Sequence, residues 1–283
     1  MDVVQRINNR MSEFTPAQKK VADYIVKNVV KSAFSTVDSI AHESGTSTMT
    51  VVRLAYELGY TGYSDFQNAL QMVVISNESP SIKLDAWSSY RKGESTFNDI
   101  IRAHEKSISE TLRQLSEESV SNAAELIISA RRIYVSGGRS SYGVAHYLMH
   151  NLNRITGRSR FLDAQDCELP ETIASMSEKD VLIVINMPRY LTNTLSLTKL
   201  VREQGTKIIA ITDSYISPYQ NICDILLLAD FKGVSFFNSM VSSQIIAEIL
   251  IGIVADIISE DAEKHMDGAE KIAAKMGVHP KIR

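Results

Sequence analysis

The sequence predicts two domains: an all-α helix-turn-helix module at the N-terminus, then an α/β domain whose parallel sheet is flanked by helices. Three observations carry this. Residues 1–77 show only helical apolar spacing, punctuated by capping residues and glycine stops. Residues 76–96, SNESPSIKLDAWSSYRKGEST, lose that periodicity and are rich in serine and other polar residues. From residue 131 onward, strongly apolar short runs alternate with helical segments, the pattern of a parallel sheet buried on both faces. The expected domains are 1–77 and 97–283, with a linker over 78–96.

TPAQKKVADYIVKNV places Thr15 as N-cap and Pro16 at the first helical position. Val21, Tyr24, Ile25, Asn28 and Val29 trace one face of that helix. STVDSIAHESG turns Ile40 and Ala41 inward and stops at Gly45. TSTMTVVRLAYELG carries Val51, Val52, Ala55 and Leu58 as its apolar stripe and ends at Gly59. FNDIIRAHEKSISETLRQL and SVSNAAELIISA form two more helices. Ile101, Ile108, Leu112 and Leu115 line the first of these, to pack on their own domain or on a second subunit. RRIYVSGG then reads as strand and glycine turn, and SYGVAHYLMHNLNRI as helix. RSRFL, DVLIVIN, TKIIAIT and DILLLA are the remaining strands.

Bulk composition narrows the function classes. The chain has 283 residues, 44% of them hydrophobic, and a net charge of −3, which suits a large core and not the non-specific coating of a polyanion. A small DNA-reading module stays compatible with it. Cys167 and Cys223 make no metal-ligand pattern, and such sparse usage fits a reducing cytoplasm. The opening MDVVQRINNRMS has no apolar signal core. IIAEILIGIVADII, residues 245–258, is interrupted by Glu248 and Asp256 and short for a bilayer span, so it reads as a buried or interface helix. No membrane partner, metal or cofactor is expected. His146 and His150 share a helix face, but no glutamate or third ligand accompanies them, which favours a packed or surface pair.

SIAHESGTSTMTVVRLAYELGY is a helix-turn-helix pattern: a short helix, a tight turn at Gly45, and a second helix that starts with small polar residues. A recognition helix enters the major groove N-terminus first, so its early side chains meet base edges. Thr46 or Ser47 caps it, Thr48 and Thr50 are short enough to touch bases or phosphates, and Arg53 reaches a phosphate or a guanine one turn on. The competing reading is a three-helix module for protein contacts. Charge lends it some support, because Arg6, Arg10, Lys19, Lys20, Lys27, Lys31 and Arg53 are cancelled by Asp2, Glu13, Asp23, Asp38, Glu43, Glu57 and Asp65.

VADYIVKN…STVDSIAHESGTSTMTVVRLAYELGYTGYSDFQNAL resembles the N-terminal module of the MurR/RpiR family of bacterial transcriptional regulators, and the similarity runs over nearly the whole chain. The resemblance puts Ser47, Thr48, Thr50 and Arg53 on the recognition helix, with Tyr60 and Tyr63 in the turn behind it, where packing is an equal role. The α/β half resembles a SIS domain, the sugar-isomerase fold these regulators use to sense metabolites. Its two ligand loops resemble a branch of the family with GGR and PRY variants.

The first loop, usually G-x-G-x-S, here reads GGRSS over residues 137–141. Gly137 and Gly138 allow a tight turn and turn amides towards an anion, or simply make the turn. Ser140 and Ser141 offer hydroxyls at a helix start, and Arg139 adds positive charge where a glycine is usual. The second loop, usually S-x-S-G-x-T-x-E, here reads Asn186, Met187, Pro188, Arg189, Tyr190, Leu191, Thr192 and Asn193, so the hydroxyl trio and the glutamate are replaced. Arg189 and Arg139 would converge on a phosphate or carboxylate, with Tyr190 stacking or donating. Alternatively, Arg189 pairs with Asp166 or Asp213 and holds the fold. Asp213 either forms its turn or faces ligand. Ser235 and Ser239 either complete the pocket or cap a helix.

Together these features imply a regulator that binds a palindromic operator as a homodimer or homotetramer and responds to a small anionic metabolite, a sugar phosphate or a carboxylate. A sugar-phosphate isomerase or aminohydrolase on the same fold is the enzyme alternative. Its base is missing, with Asn193 in place of the acid and His42, His104, His146, His150, His265 and His279 scattered, and it leaves the N-terminal module unexplained. A protein-binding adaptor is the remaining alternative.

Overall fold

The computed structural model describes residues 3–77, 96–231 and 237–278. The linker expected over 78–96 lies outside them except for Thr96. The chain separates into two compact units, with the division falling between Ile101 and Arg102.

The first unit holds α1 (Val3–Arg10), α2 (Pro16–Lys27), α3 (Val29–Ala33), α4 (Val37–Glu43), α5 (Thr48–Glu57) and α6 (Tyr63–Asn77). Thr15 caps α2 through a full capping box with Gln18, and Pro16 opens the helix as its sequence requires. Gly45 ends α4 at φ +64°, and the Thr46 amide bonds back to the Ala41 carbonyl at 2.8 Å. That closure needs the left-handed conformation glycine allows, and it sets the angle between α4 and α5. The core gathers Ile7, Val21, Ile25, Ile40, Val51, Leu54, Phe66 and Leu70, all fully buried.

The stripe of α5 differs by one residue from the expected one. Val51, Leu54, Ala55 and Leu58 are buried, while Val52 is half-exposed. Positions i, i+3, i+4 and i+7 share a helix face and i+1 lies about 100° away, so Leu54 displaces Val52.

Helix α7 (Thr96–Gln114) crosses the division between the two units, and the second unit continues with α8 (Glu117–Ser129), β1 (Ile133–Ser136), α9 (Ser140–Thr156) and β2 (Ser159–Phe161). Then come α10 (Leu169–Ala174), β3 (Val181–Ile185), α11 (Thr192–Glu203), β4 (Lys207–Thr212), β5 (Ile225–Leu228), α12 (Val241–Ile257) and α13 (Ser259–Met276). All pairings are parallel, and the strand order is β2-β1-β3-β4-β5, with Ile133 opposite Val181 and Ile183 opposite Ile209. Alternate side chains serve the two faces. Tyr134, Leu182, Val184, Ile208 and Ala210 pack with Leu197 and Val201 of α11. On β1 and β3, α9 packs under α12, and α8 lies against β5. The order reverses between β1 and β3, so their carboxyl ends flank a topological switch point, the usual ligand crevice of such sheets.

The stripe expected on α7 is not what the helix buries. Ser107 and Thr111 are 1% exposed, whereas Ile101 and Leu112 are 40% and 47% exposed. The reason is polar satisfaction: Ser107 Oγ donates to the Asp230 carbonyl at 3.0 Å, and Thr111 Oγ1 accepts the Asp230 amide at 2.9 Å. These two hydroxyls pair with the backbone amide and carbonyl of Asp230. The 245–258 segment falls mainly in α12, whose Ile246, Ala247, Leu250 and Val254 are buried. No single helix among the described residues is long and apolar enough to cross a membrane.

Candidate functional site

Four residues of the N-terminal unit were expected to read DNA. Ser47 caps α5, its Oγ accepting the Thr50 amide at 3.3 Å and sharing a hydrogen bond with Thr50 Oγ1 at 3.0 Å. These two hydroxyls therefore engage each other. Thr48 and Arg53 are exposed. Lys27 pairs with Asp23, Lys31 with Glu43 and Arg10 with Glu13, while Arg53 makes no ion pair among the described residues. Lys31 donates to Glu43 and holds that carboxyl below its usual range, against the opposing effect of desolvation. Tyr60 packs edge-on to Phe66, and Tyr63 Oη donates to the Ser35 carbonyl at 2.6 Å, so both tyrosines serve the fold. The sequence reading missed Met49 and Tyr56, which stand 58% and 57% exposed.

At the switch point of the sheet lies a cleft of about 370 Å³. Three segments line it: Ser136–Arg139 after β1, Leu162–Gln165 after β2, and Leu191, Asn193 and Thr194 at the start of α11. Gly137 and Gly138 are fixed by close approach. A Cβ on Gly137 would sit 3.1 Å from the Ile185 carbonyl oxygen and 2.9 Å from Ala145 Cβ, and one on Gly138 would sit 2.5 Å from Leu191 Cδ1. Arg139 follows as N-cap of α9 at φ 52°, ψ −122°, a conformation L side chains rarely adopt. Holding it there costs about 1–3 kcal/mol, and such strain concentrates at ligand clamps. Of the expected ligand residues Gly138 and Arg139 line the cleft. Ser140 is exposed at the start of α9, and Ser141 is buried with its amide on the Gly138 carbonyl.

The loop after β3 is closed on itself. Asn186 is 4% exposed; its Oδ1 accepts the Leu191 amide at 3.1 Å and its Nδ2 donates to Tyr219 Oη at 2.6 Å. The Asn186 side chain thus clamps both ends of the loop instead of reaching for solvent. Tyr190 Oη donates to Asp213 Oδ1 at 2.5 Å, and Asn238 Nδ2 donates to the Pro188 carbonyl at 3.1 Å. Burial first, then the Asp213 carboxylate, pushes the Tyr190 hydroxyl well above the ordinary tyrosine range. Burial pushes Tyr219 up to about 12, although its hydrogen bonds with Asn186 and Thr198 pull the other way.

Arg189 stands exposed at the apex of this loop, at φ +63°. Arg139 and Arg189 are the only non-glycine residues of positive φ among the described residues. Neither makes an ion pair among those residues. The alternative partners of Arg189 are engaged elsewhere: Asp213 takes the tyrosine, and Asp166 Oδ1 accepts the Glu168 amide at 3.0 Å. The two arginines occupy the carboxyl ends of adjacent strands, but Arg189 does not line the cleft.

Ser239 is 8% exposed and held between His104 Nδ1 at 3.3 Å and the Val241 amide at 3.4 Å, just before α12, whose N-cap is Met240. Ser235 lies outside the described residues. Sequence reasoning missed Asp163 and Gln165, which face the cleft from the β2–α10 loop, and Thr194 beside them. Their only sequence signal is their place after a strand. No metal-binding cluster of histidine, cysteine or acidic residues occurs among the described residues.

A helix-turn-helix module joined in one chain to a doubly wound domain with a cleft at its switch point defines a class of transcriptional regulators. Residues 1–76 match the helix-turn-helix domain, rpiR family, and residues 126–251 match the SIS domain. The chain belongs to the RpiR family of helix-turn-helix transcriptional regulators. An HTH-type transcriptional regulator of Thermotoga maritima is 24% identical over 272 residues, 96% of either chain. HexR of Escherichia coli is 23% identical over 215 residues, 76% of this chain and 73% of its own. Among solved structures, the sugar isomerase domain of an RpiR transcription factor from Sphaerobacter thermophilus gives a TM-score of 0.60 at 27% identity, over 63% of this chain and 99% of its own. Vibrio vulnificus NanR, solved with ManNAc-6P, gives 0.60 at 20% identity, over 98% of this chain and 100% of its own, a likeness of fold.

Proposed function

We propose that this regulator acts in the cytoplasm, binds a palindromic operator through α5 as a homodimer or homotetramer, and is switched by a small anionic metabolite held at the switch-point cleft. The observation that carries the reading is the backbone of Arg139: a cationic residue kept in a strained conformation on the wall of a ligand-sized cleft. The amino end of α9 adds a favourable field for an anion. Asn193 and Thr194 supply neutral hydrogen-bonding groups, and Asp163 and Gln165 suit hydroxyls elsewhere on the ligand. The anion is a carboxylate or a phosphate, because a guanidinium holds either in a forked geometry. Arg189 supplies a second positive charge at the neighbouring strand end. Ligand changes DNA occupancy by binding one arrangement of the DNA-reading heads more tightly than another.

The relatives' names support a regulator over an enzyme. The cleft supports it too: the one carboxylate on its described walls is Asp163, whose Oδ1 already accepts the Gln165 amide at 2.9 Å. Isomerase chemistry requires a base poised against the substrate carbon. The test is a thermal-shift screen of the full chain against phosphosugars, sugar acids and amino-acid derivatives, repeated on Arg139→Ala. A true effector at one hundred times its Kd adds about 2.7 kcal/mol of stability, and the variant loses that shift. Equal shifts in both proteins would remove Arg139 from the site. Turnover of the hit compound would return the enzyme reading.

A further inference from the structure

Helix α5 presents to solvent a stripe that its sequence does not advertise. Met49 and Tyr56 are 58% and 57% exposed, while Val51, Leu54 and Ala55 on the opposite face are fully buried. Positions 49, 53 and 56 follow one another at helical spacing, so Met49, exposed Arg53 and Tyr56 form one outward row. Met49 is the second residue of the helix, in the first turn that leads into the major groove. Two of its polar neighbours are already occupied, since Ser47 and Thr50 bond to each other across the cap. An unbranched thioether more than half exposed, placed beside a cation that is unpaired among the described residues, is poorly suited to bulk water and well suited to an apolar spot on a charged surface.

The major groove offers one such spot. Of the groups that base edges display there, the thymine C5-methyl is the apolar one. We propose that Met49 reads a thymine methyl in the operator and so fixes an A·T pair near the outer end of the contact made by α5, while Arg53, one turn further along, holds phosphate or guanine. This inference rests on the DNA-reading role of α5. Methionine serves because its three rotatable bonds let the methyl and sulfur settle over the thymine without demanding a fixed approach.

The test uses the full chain and a binding site enriched from a random duplex pool. Each thymine of that site is replaced in turn by deoxyuridine, which removes the methyl group and nothing else, and affinity is read by fluorescence anisotropy. At one position per half-site the replacement weakens wild-type binding by about fourfold, the ratio one buried methyl group supports. Met49→Ala still binds the site but treats thymine and deoxyuridine alike, and Met49→Leu retains part of the discrimination. Because the side chain is mostly exposed, the variants keep the wild-type melting temperature. An enriched site with no thymine whose methyl matters, or discrimination that survives in Met49→Ala, overturns the contact while leaving DNA reading intact. Failure to enrich any sequence overturns the DNA-reading role itself, and the contact with it.

Discussion

Tyr190 donates its hydroxyl to Asp213 at 2.5 Å, so a carboxylate that could serve the neighbouring Arg189 already accepts a hydrogen bond. Asp213 was a ready partner for that guanidinium. With the phenol on its carboxylate, the loop is tied to the end of β4, and Arg189 is left at the loop apex with no ion pair among the described residues. Tyr190→Phe keeps the ring and deletes the tie. Stability falls by about 1.5–3 kcal/mol, the range for a hydrogen bond to a charged acceptor. The freed carboxylate then competes for Arg189, so affinity for an anionic effector falls more than the stability loss alone explains. Urea unfolding and ligand titration on the same variant separate the two effects.

Half-buried Tyr190 and buried Tyr219 also predict a pH limit. Tyr190 and Tyr219 have folded-state pKa values above the ordinary tyrosine value, Tyr219 at about 12. A raised folded pKa means that the folded chain holds its proton where the unfolded chain has lost it. The stabilisation is therefore complete below about pH 10, the unfolded value. It is lost as pH climbs from there towards the folded values. Stability measured from pH 8 upward should be flat with respect to these groups until about pH 10 and then fall. Tyr219→Phe removes part of that decline. A decline unchanged in this variant would assign the pH dependence to other groups.

The strained arginine yields a trade-off. Arg139→Gly removes both the side chain and the cost of a positive φ, whereas Arg139→Ala removes the side chain but keeps a Cβ in the same conformation. The glycine variant should be more stable than the alanine variant by about 1 kcal/mol, and neither should respond to effector. Equal midpoints in denaturant would show that the loop relaxes around residue 139 and stores no strain.

The paired glycines divide differently. At position 137 an added Cβ meets the carbonyl oxygen of Ile185 and the Ser141 carbonyl oxygen at 3.2 Å, which are backbone and cannot swing aside. At position 138 it meets the far end of Leu191, a flexible side chain that lines the cleft. Gly137→Ala should lower stability by about 1–3 kcal/mol, as overpacking does. Gly138→Ala should cost less stability and instead reshape the cleft, which effector affinity reports. The reverse ranking would mean that the β1 turn moves as a unit.

Much of this architecture was legible in the sequence because period and capping act locally. The Thr15 capping box, the Gly45 turn and the buried strands each follow from a few adjacent residues. Where the reading departed from the structure, distant partners decided. Ser107 and Thr111 look like surface positions until the Asp230 backbone, more than a hundred residues away in sequence, needs them. Leu54 outranks Val52 only once the neighbouring helices fix the rotation of α5. In the cleft, Arg139 was visible from its place in a glycine turn, but Asp163 and Gln165 enter only because β2 lies beside β1. Asn186 read as a ligand group because it follows a strand. Its role as a clamp depends on Tyr219, a residue supplied by a later loop.

Helix α5 permits a last separation, between a residue that makes the helix and one that uses it. Ser47 caps α5, so Ser47→Ala should cost about 1 kcal/mol of stability and weaken DNA binding through a frayed first turn. Arg53 is exposed and makes no ion pair among the described residues, so Arg53→Ala should leave the melting temperature unchanged while weakening operator binding. The salt dependence identifies its contact. Loss of a phosphate ligand weakens all duplexes alike and lowers the slope of log affinity against log salt by about one. Loss of a guanine ligand costs about 1–3 kcal/mol at one base pair and relaxes specificity there. Unchanged affinity on every duplex would remove α5 from the interface and return the module to a role in protein contacts.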